Sequence, residues 1–278
     1  MLDSLLADPL LEDLSWSIMI VPPSGTPLLH DPDRLLRTAS VGKLFLLTRT
    51  AELITEGSLD PAEELSRSTV EPVADSGLWQ HLRTDTLPIA DIATLIGAAS
   101  DNWATNVLLR RVGLDSVQRL AATLCDGGSQ LWDAVRDHRG PDQPETLSTG
   151  CARDFVTLLA AAHHGSLVNR RVSQLLLDWL APSFDLSMVA SAFDLDPLAH
   201  VPSGAALAAR NKTGTDDGVR ADVGLLSGPA GSLTYAVVCN FSDPSALGAV
   251  MATMRELGEL AVRSVSTSPK TGTVPDSV

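Results

Sequence analysis

Basic side chains are scarce in this chain. The 20 Lys and Arg stand against 34 Asp and Glu, for a formal net charge of −14 at pH 7. A face that binds a phosphate backbone needs clustered Lys and Arg, so nucleic acid is excluded as a partner. Cysteine is sparse as well. Cys125, Cys151 and Cys239 form no CxxC and, being odd in number, cannot all pair within one chain, so they read as reduced core residues. Aromatic residues make up only 4% of the 278, yet 44% are hydrophobic, ample for the core of one large domain or two small ones. No purely apolar run is long enough to span a bilayer, and no membrane partner is expected. Met1 to Leu6 has neither a basic n-region nor a sustained apolar h-region, so no secretory signal is read there. A cytoplasmic monomer or weak homodimer is the expectation.

What is present is a change of pattern along the chain. Leu2 to Leu14 places Leu and Ala at helical spacing, Ser15 to Val21 is extended and β-rich, and Leu28-Leu29-His30 can return as a second strand after the Ser24-Gly25-Thr26-Pro27 turn. From Ser40 to about Thr55 the apolar residues fall on helical spacing again, ended by Glu56-Gly57. Further helical segments follow between Leu87 and Leu180, among them Ala104–Val112, Ser116–Leu124, Ala152–His164 and Val172–Leu180. After Arg210 strands return, at Asp222–Leu226 and Leu233–Cys239 around a Gly228-Pro229-Ala230-Gly231 turn. A last helix carries Leu247, Val250, Met251, Met254, Leu257 and Val262 on one stripe, and Ser264 to Val278 reads as a disordered Ser/Thr/Pro tail. The economical architecture is α/β of the α+β kind. Residues 1–50 and 205–263 would form an antiparallel sheet with its flanking helices, and residues 51–204 an inserted all-helical subdomain.

Three short motifs occur in order: Ser40-Val41-Gly42-Lys43, Ser100-Asp101-Asn102 and Lys212-Thr213-Gly214. Each alone is weak, but the ordered trio on elements of suitable type is specific. It resembles the signature of class A β-lactamases and penicillin-binding proteins. Ser100 to Leu109 is similar to that family's S-D-N-x-A-x-N-L-L-L helix entry, and Leu147 to Ala152 resembles its T-T-P helix start. The likeness covers roughly residues 15–262. It implies a β-lactamase/transpeptidase-like fold and a serine hydrolase with no cofactor and no metal.

The resemblance also assigns roles. Ser40 is the nucleophile, and Lys43, one helical turn on, accepts its proton once burial and a second cation, Lys212, lower its pKa. The helix N-terminus favours negative charge developing near Ser40. Ser100 relays a proton to the leaving nitrogen while Asn102 holds Lys43 and the substrate. Backbone N–H groups of Ser40 and Thr215 form an oxyanion hole, and Lys212, Thr213 and the Thr215 hydroxyl, beside Gly214, hold a substrate carboxylate. The implied partner is a small anionic amide, β-lactam or D-alanyl-like. A second K-T-G, Lys270-Thr271-Gly272, has no strand to support it and is set aside.

One part of the pattern is missing. Class A enzymes deacylate with a glutamate in an E-x-x-L-N loop before the T-T-P helix start, and residues 131–146 contain no such run. Asp133, Asp137 and Glu145 are the candidate replacements, against a plain reading of the stretch as a solvated acidic loop. Arg220 is a candidate support for the substrate carboxylate, subject to strand parity. Asp101 is expected to brace its turn, Trp79 to pack in the core or gate the cleft, Asn211 to finish a turn, and His163-His164 to suit a helix C-terminus. Three functions stay open: β-lactam hydrolysis, a related D-alanyl peptidase or small-ester esterase, and a module that acylates without turning over.

Overall fold

The computed structural model describes residues 14–199 and 207–266, together with Leu6. In chain order its strands are β1 (Ser15–Val21), β2 (Leu28–His30), β3 (Leu36–Arg37), β4 (Glu64–Ser66), β5 (Thr86–Pro88), β6 (Gln130–Leu131), β7 (Ser148–Gly150), β8 (Ala208–Asp216), β9 (Val219–Gly228) and β10 (Gly231–Asn240). The α-helices are α1 (Lys43–Thr55), α2 (Ile89–Ala99), α3 (Asn102–Val112), α4 (Leu114–Leu124), α5 (Ala152–His163), α6 (Arg170–Leu180) and α7 (Leu247–Ser266). Both chain ends contribute to one antiparallel sheet of order β2-β1-β10-β9-β8, as the strand patterns at the two ends imply. Small ladders β3-β7-β6 and β4-β5 tie the connecting segments together. The expected first helix and the second K-T-G lie outside the described residues, apart from Leu6 and Leu14.

Strand alternation splits the hydrophobic residues into two cores. On one face Trp16, Ile18, Ile20, Tyr235, Val237 and Cys239 pack under Val250, Met254, Leu257 and Ala261 of α7. On the other, Val223, Leu225, Ala236 and Val238 meet the helices. The first half of helix α1 is almost wholly buried, with Leu44, Phe45, Leu46, Leu47 and Ala51 fully covered, and α2, α3, α4 and α6 pack around it. Helix α7 continues to Ser266, past the expected start of the tail. Val265 is fully buried in the second core, and its carbonyl accepts the Ala230 N–H. Among the described residues no helix is long and apolar enough to cross a membrane. All three cysteines are buried free thiols.

Two corners of this fold position the later site. Helix α2 ends at Ser100, whose φ of +55° is left-handed, and Asp101 then caps α3 by accepting the Ala104 N–H. On the sheet side β8 is an edge strand lying against the Thr38–Val41 turn. A Cβ at Gly214 would stand 2.2 Å from the Thr38 carbonyl oxygen, so only glycine allows this approach. Gly214→Ala is therefore expected to lower thermal stability by about 1–3 kcal/mol, the cost of overpacking. Gly248→Ala, at an exposed α7 position with nothing within 4 Å of the added Cβ, is expected to raise it by about 0.5–1 kcal/mol. Thermal unfolding of the two variants checks the pair of opposite signs.

Candidate active site

Ser40 sits in a tight turn, Ala39–Gly42, that leads directly into α1. The turn is anchored by Ser148 of β7. Its backbone carbonyl accepts the Thr38 N–H at 3.1 Å, its hydroxyl donates to the Ala39 carbonyl at 2.6 Å, and the Thr38 hydroxyl lies 2.7 Å from it. Ala39 has a left-handed φ of +47°, a strained value for alanine that these bonds sustain. Gly42 completes the anchor, since a Cβ there would stand 2.3 Å from the Ser148 Cβ. Ser148 falls within the Leu147–Ala152 segment already noted, but its grip on the Ser40 turn is a long-range contact that no local spacing announces. The Ser40 hydroxyl makes no hydrogen bond among the described residues and borders two connected hollows, of about 270 and 520 Å³.

Both lysines of the first and third motifs are buried, Lys43 fully and Lys212 to within 2%. Lys43 Nζ donates to the Ser100 carbonyl at 2.6 Å, to Asn102 Oδ1 at 2.8 Å and to Ser100 Oγ at 3.3 Å. Lys212 Nζ, arriving from β8, donates to the same Ser100 Oγ at 2.9 Å and to the Thr213 carbonyl at 2.8 Å. Two amines thus occupy the acceptor sites of one hydroxyl, which leaves its own hydrogen to be donated elsewhere. Burial, and then the neighbouring Lys212 charge, push the Lys43 amine well below the ordinary lysine range, against the opposing pull of Asp101 and Asp75. Burial lowers Lys212 to about 8, with Asp185 and Asp222 acting the other way.

Asp101 is buried and does the bracing expected of it. Besides the α3 cap, its Oδ2 accepts the Leu78 and Trp79 N–H groups, both at 2.8 Å. Trp79 is fully buried in the core, with its indole N–H on the Thr84 carbonyl, and does not line the cleft. Asn211 does not finish a turn. It lies within β8, fully buried, and its Nδ2 donates to the Asp185 carbonyl and to Asp222 Oδ1, each at 3.1 Å. Asp222 also accepts from Tyr235 and from the Ala190 N–H, and burial raises it to about 6. This network fixes the loop that carries Asp185, whose Oδ2 accepts the Thr213 hydroxyl at 2.5 Å. Asp185 was not singled out from sequence, because it lies in an irregular loop far from β8 along the chain.

The remaining candidates separate. Asp133 is not at the cleft: its carboxylate accepts from Arg136 Nε at 2.7 Å, Arg139 Nη1 at 2.6 Å and the Ala134 N–H at 2.7 Å. Burial alone would raise it, but those donors hold it below the usual range, so it is the anchor of its loop rather than a base. Glu145 is exposed and borders neither hollow, having been carried outward by the same loop. Asp137 does line the larger hollow with Ser40 and Asn102, its Oδ1 on the Ala74 N–H at 3.1 Å. Arg220 pairs with Thr215 across the sheet but turns away, donating to the Asp216 and Val219 carbonyls and lining a separate hollow with Arg37 and Phe241. Thr213 and Thr215 border the smaller hollow, and Asp75 the larger. No group of three or more His, Cys, Asp or Glu among the described residues could hold a metal ion.

The fold that carries this site has counterparts among solved structures. The chain resembles the β-lactamase of Sphaerobacter thermophilus DSM 20745, with 26% identity and a TM-score of 0.80 over 95% of this chain and 96% of that one. It superposes on PBP-A (18% identity, TM-score 0.73, 95% and 93% covered). It also superposes on a class A β-lactamase from Mycobacterium abscessus (19% identity, TM-score 0.73, 95% and 97% covered). A comparison with curated protein sequences finds no match. The description of the beta-lactamase enzyme family matches residues 14–265, which span every strand and helix of the site, and the chain belongs to that family.

Proposed function

We propose that this protein is a serine hydrolase that opens β-lactam-type cyclic amides through an acyl-enzyme on Ser40. The observation that carries this reading is the meeting of Lys43 and Lys212 on the Ser100 hydroxyl, beside an unpartnered Ser40 hydroxyl in the same cleft. Lys43, as the neutral amine, takes the Ser40 proton while Oγ bonds to the substrate carbonyl carbon. The oxyanion faces the Ser40 and Thr215 N–H groups. The C–N bond then breaks, its electron pair stays on nitrogen, and that nitrogen takes the Ser100 hydroxyl proton, which a lysine ammonium replaces. Asn102, Lys212, Thr213, Gly214 and Thr215 border the bound substrate. The reading requires Lys43 to come within hydrogen-bond reach of Ser40 as substrate binds, and catalytic hydrogen bonds commonly tighten at that stage.

Deacylation needs a base for water, and Asp137 is the carboxylate of the rewritten loop that shares the cleft with Ser40. A second reading, acylation without turnover, is favoured by Val135. Its backbone is gripped by the Asn106 carboxamide through two bonds of 2.8 Å, and it turns an apolar residue to the same hollow. The acyl-enzyme complex of a PBP-A variant with penicillin G supports adduct formation in this fold.

Intact mass followed over time after adding penicillin G separates the readings. The wild type is expected to form a transient adduct and Ser40→Ala none. Asp137→Asn is expected to lengthen adduct lifetime about a hundredfold or more, the usual contribution of a general base. A persistent wild-type adduct supports the second reading. No adduct, with turnover of simple acyl esters, moves the activity to an esterase.

A further inference from the structure

The smaller hollow beside Ser40 carries a charge arrangement that limits what can bind there. Among the described residues lining it, Lys212 is the basic side chain and Asp185 the acidic one. A receptor for a substrate carboxylate would use the Lys212 ammonium together with the Thr213 hydroxyl. That hydroxyl has one hydrogen, and it is given to Asp185 Oδ2 at 2.5 Å. Lys212 likewise directs hydrogens to Ser100 and to the Thr213 carbonyl. Asp185 therefore takes the Thr213 donor, leaving an incoming carboxylate the Thr215 hydroxyl and Lys212, and places a negative charge beside the position that carboxylate would take.

Asp185 is not a loose side chain that substrate could push aside. Its Oδ1 accepts from the Ser187 hydroxyl at 2.7 Å and the Ser187 N–H at 3.2 Å. The Asp185 carbonyl is held by the buried Asn211 side chain, and the preceding Phe184 N–H reaches the Ala98 carbonyl at 3.3 Å, tying the loop to the end of α2. The carboxylate is thus fixed from β8, from its own loop and from the helix that ends in Ser100. An ionised carboxyl has about four acceptor sites, and three are taken by these bonds, so one remains for a donor on the substrate.

We propose that Asp185 is a specificity residue which makes the subsite beyond Lys212 select a substrate group bearing N–H, a carboxamide or an ammonium, in place of a free carboxylate. This rests on the Ser40 acylation reading and deepens it. The substrate is an activated or cyclic amide whose reactive carbonyl lies at Ser40 and whose far polar group donates to Asp185. The proposal narrows the anionic substrate implied by the family resemblance, because like charges set side by side disfavour binding.

The test compares three probes, penicillin G, its methyl ester and its primary carboxamide, on the full chain. The rate of Ser40 adduct formation is read by intact mass for wild type and Asp185→Asn, with p-nitrophenyl acetate as a small uncharged acyl donor. For the wild type the carboxamide is expected to react at least about tenfold faster than the free acid, with the ester between them. Asp185→Asn is expected to raise the free-acid rate about tenfold relative to its own p-nitrophenyl acetate rate, which serves as the internal standard, and to collapse the carboxamide preference. A wild type that reacts with the free acid as fast as with the carboxamide overturns the proposal, and this needs no variant to fold. An Asp185→Asn protein with an unaltered preference overturns it as well. Absence of any Ser40 adduct, from p-nitrophenyl acetate included, overturns the acylation reading and the substrate inference with it.

Discussion

Two buried lysines meet at one serine hydroxyl, and the rest of the site is arranged around that contact. Removing an ammonium from water costs several kcal/mol even after relaxation, and placing two together adds mutual repulsion. The fold offsets this with oxygens. Lys43 has the Ser100 carbonyl and Asn102, Lys212 has the Thr213 carbonyl, and Ser100 Oγ serves both. The chain has only three lysines against seventeen arginines, and two of the three are used here. An arginine could not serve in the place of Lys43, because its guanidinium does not lose a proton in proteins. The unfavourable environment holds the Lys43 amine well below the ordinary lysine range, as the proposed transfer of the Ser40 proton to it requires.

Scaffold features far from the chemistry exist to bring these groups together. Helix α1 supplies Lys43 from its buried first turn, the left-handed corner at Ser100 turns its carbonyl and hydroxyl toward the lysines, and edge strand β8 delivers Lys212 from the other wall. Gly214 lets β8 approach the Ser40 turn, and Ser148 holds that turn from behind. Asp101 reaches three backbone N–H groups and so joins the Gly77–Trp79 segment to the start of α3. The site is consequently a junction of the sheet and the helices, sensitive to changes that move either one.

Much of this was legible from the chain alone. The period-2 and helical patterns placed the strands at the two ends and the helices between, and the motif trio located Ser40, Lys43, Ser100, Asn102 and Lys212 on facing elements. The misreadings share a physical cause. Asp133 looked like a free acid because the two arginines that bind it lie three and six residues on in an irregular loop, where spacing does not determine pairing. Arg220 depends on strand parity next to the β8–β9 turn, and its guanidinium folds back onto the Asp216 and Val219 carbonyls of that turn. Asn211 looked like a turn residue by type, but the strand that carries Lys212 begins before it and buries it. Asp185 carries no sequence signal at all, since only the folded loop sets it against Thr213.

The dependence of Lys43 on burial and on Lys212 is best measured through the pH profile of the second-order rate of Ser40 acylation, which reports groups of the free protein. The lowered Lys43 pKa means that acylation rises through a limb well below the ordinary lysine range as the amine becomes neutral. Loss of the Lys212 charge brings a fall near pH 8, and the two limbs belong to the coupled pair. In Lys212→Met the falling limb disappears and, with the repelling charge gone, the rising limb moves to higher pH. A rising limb that stays at the same pH in Lys212→Met, or that lies in the ordinary lysine range in the wild type, would contradict the role given to the lysine pair.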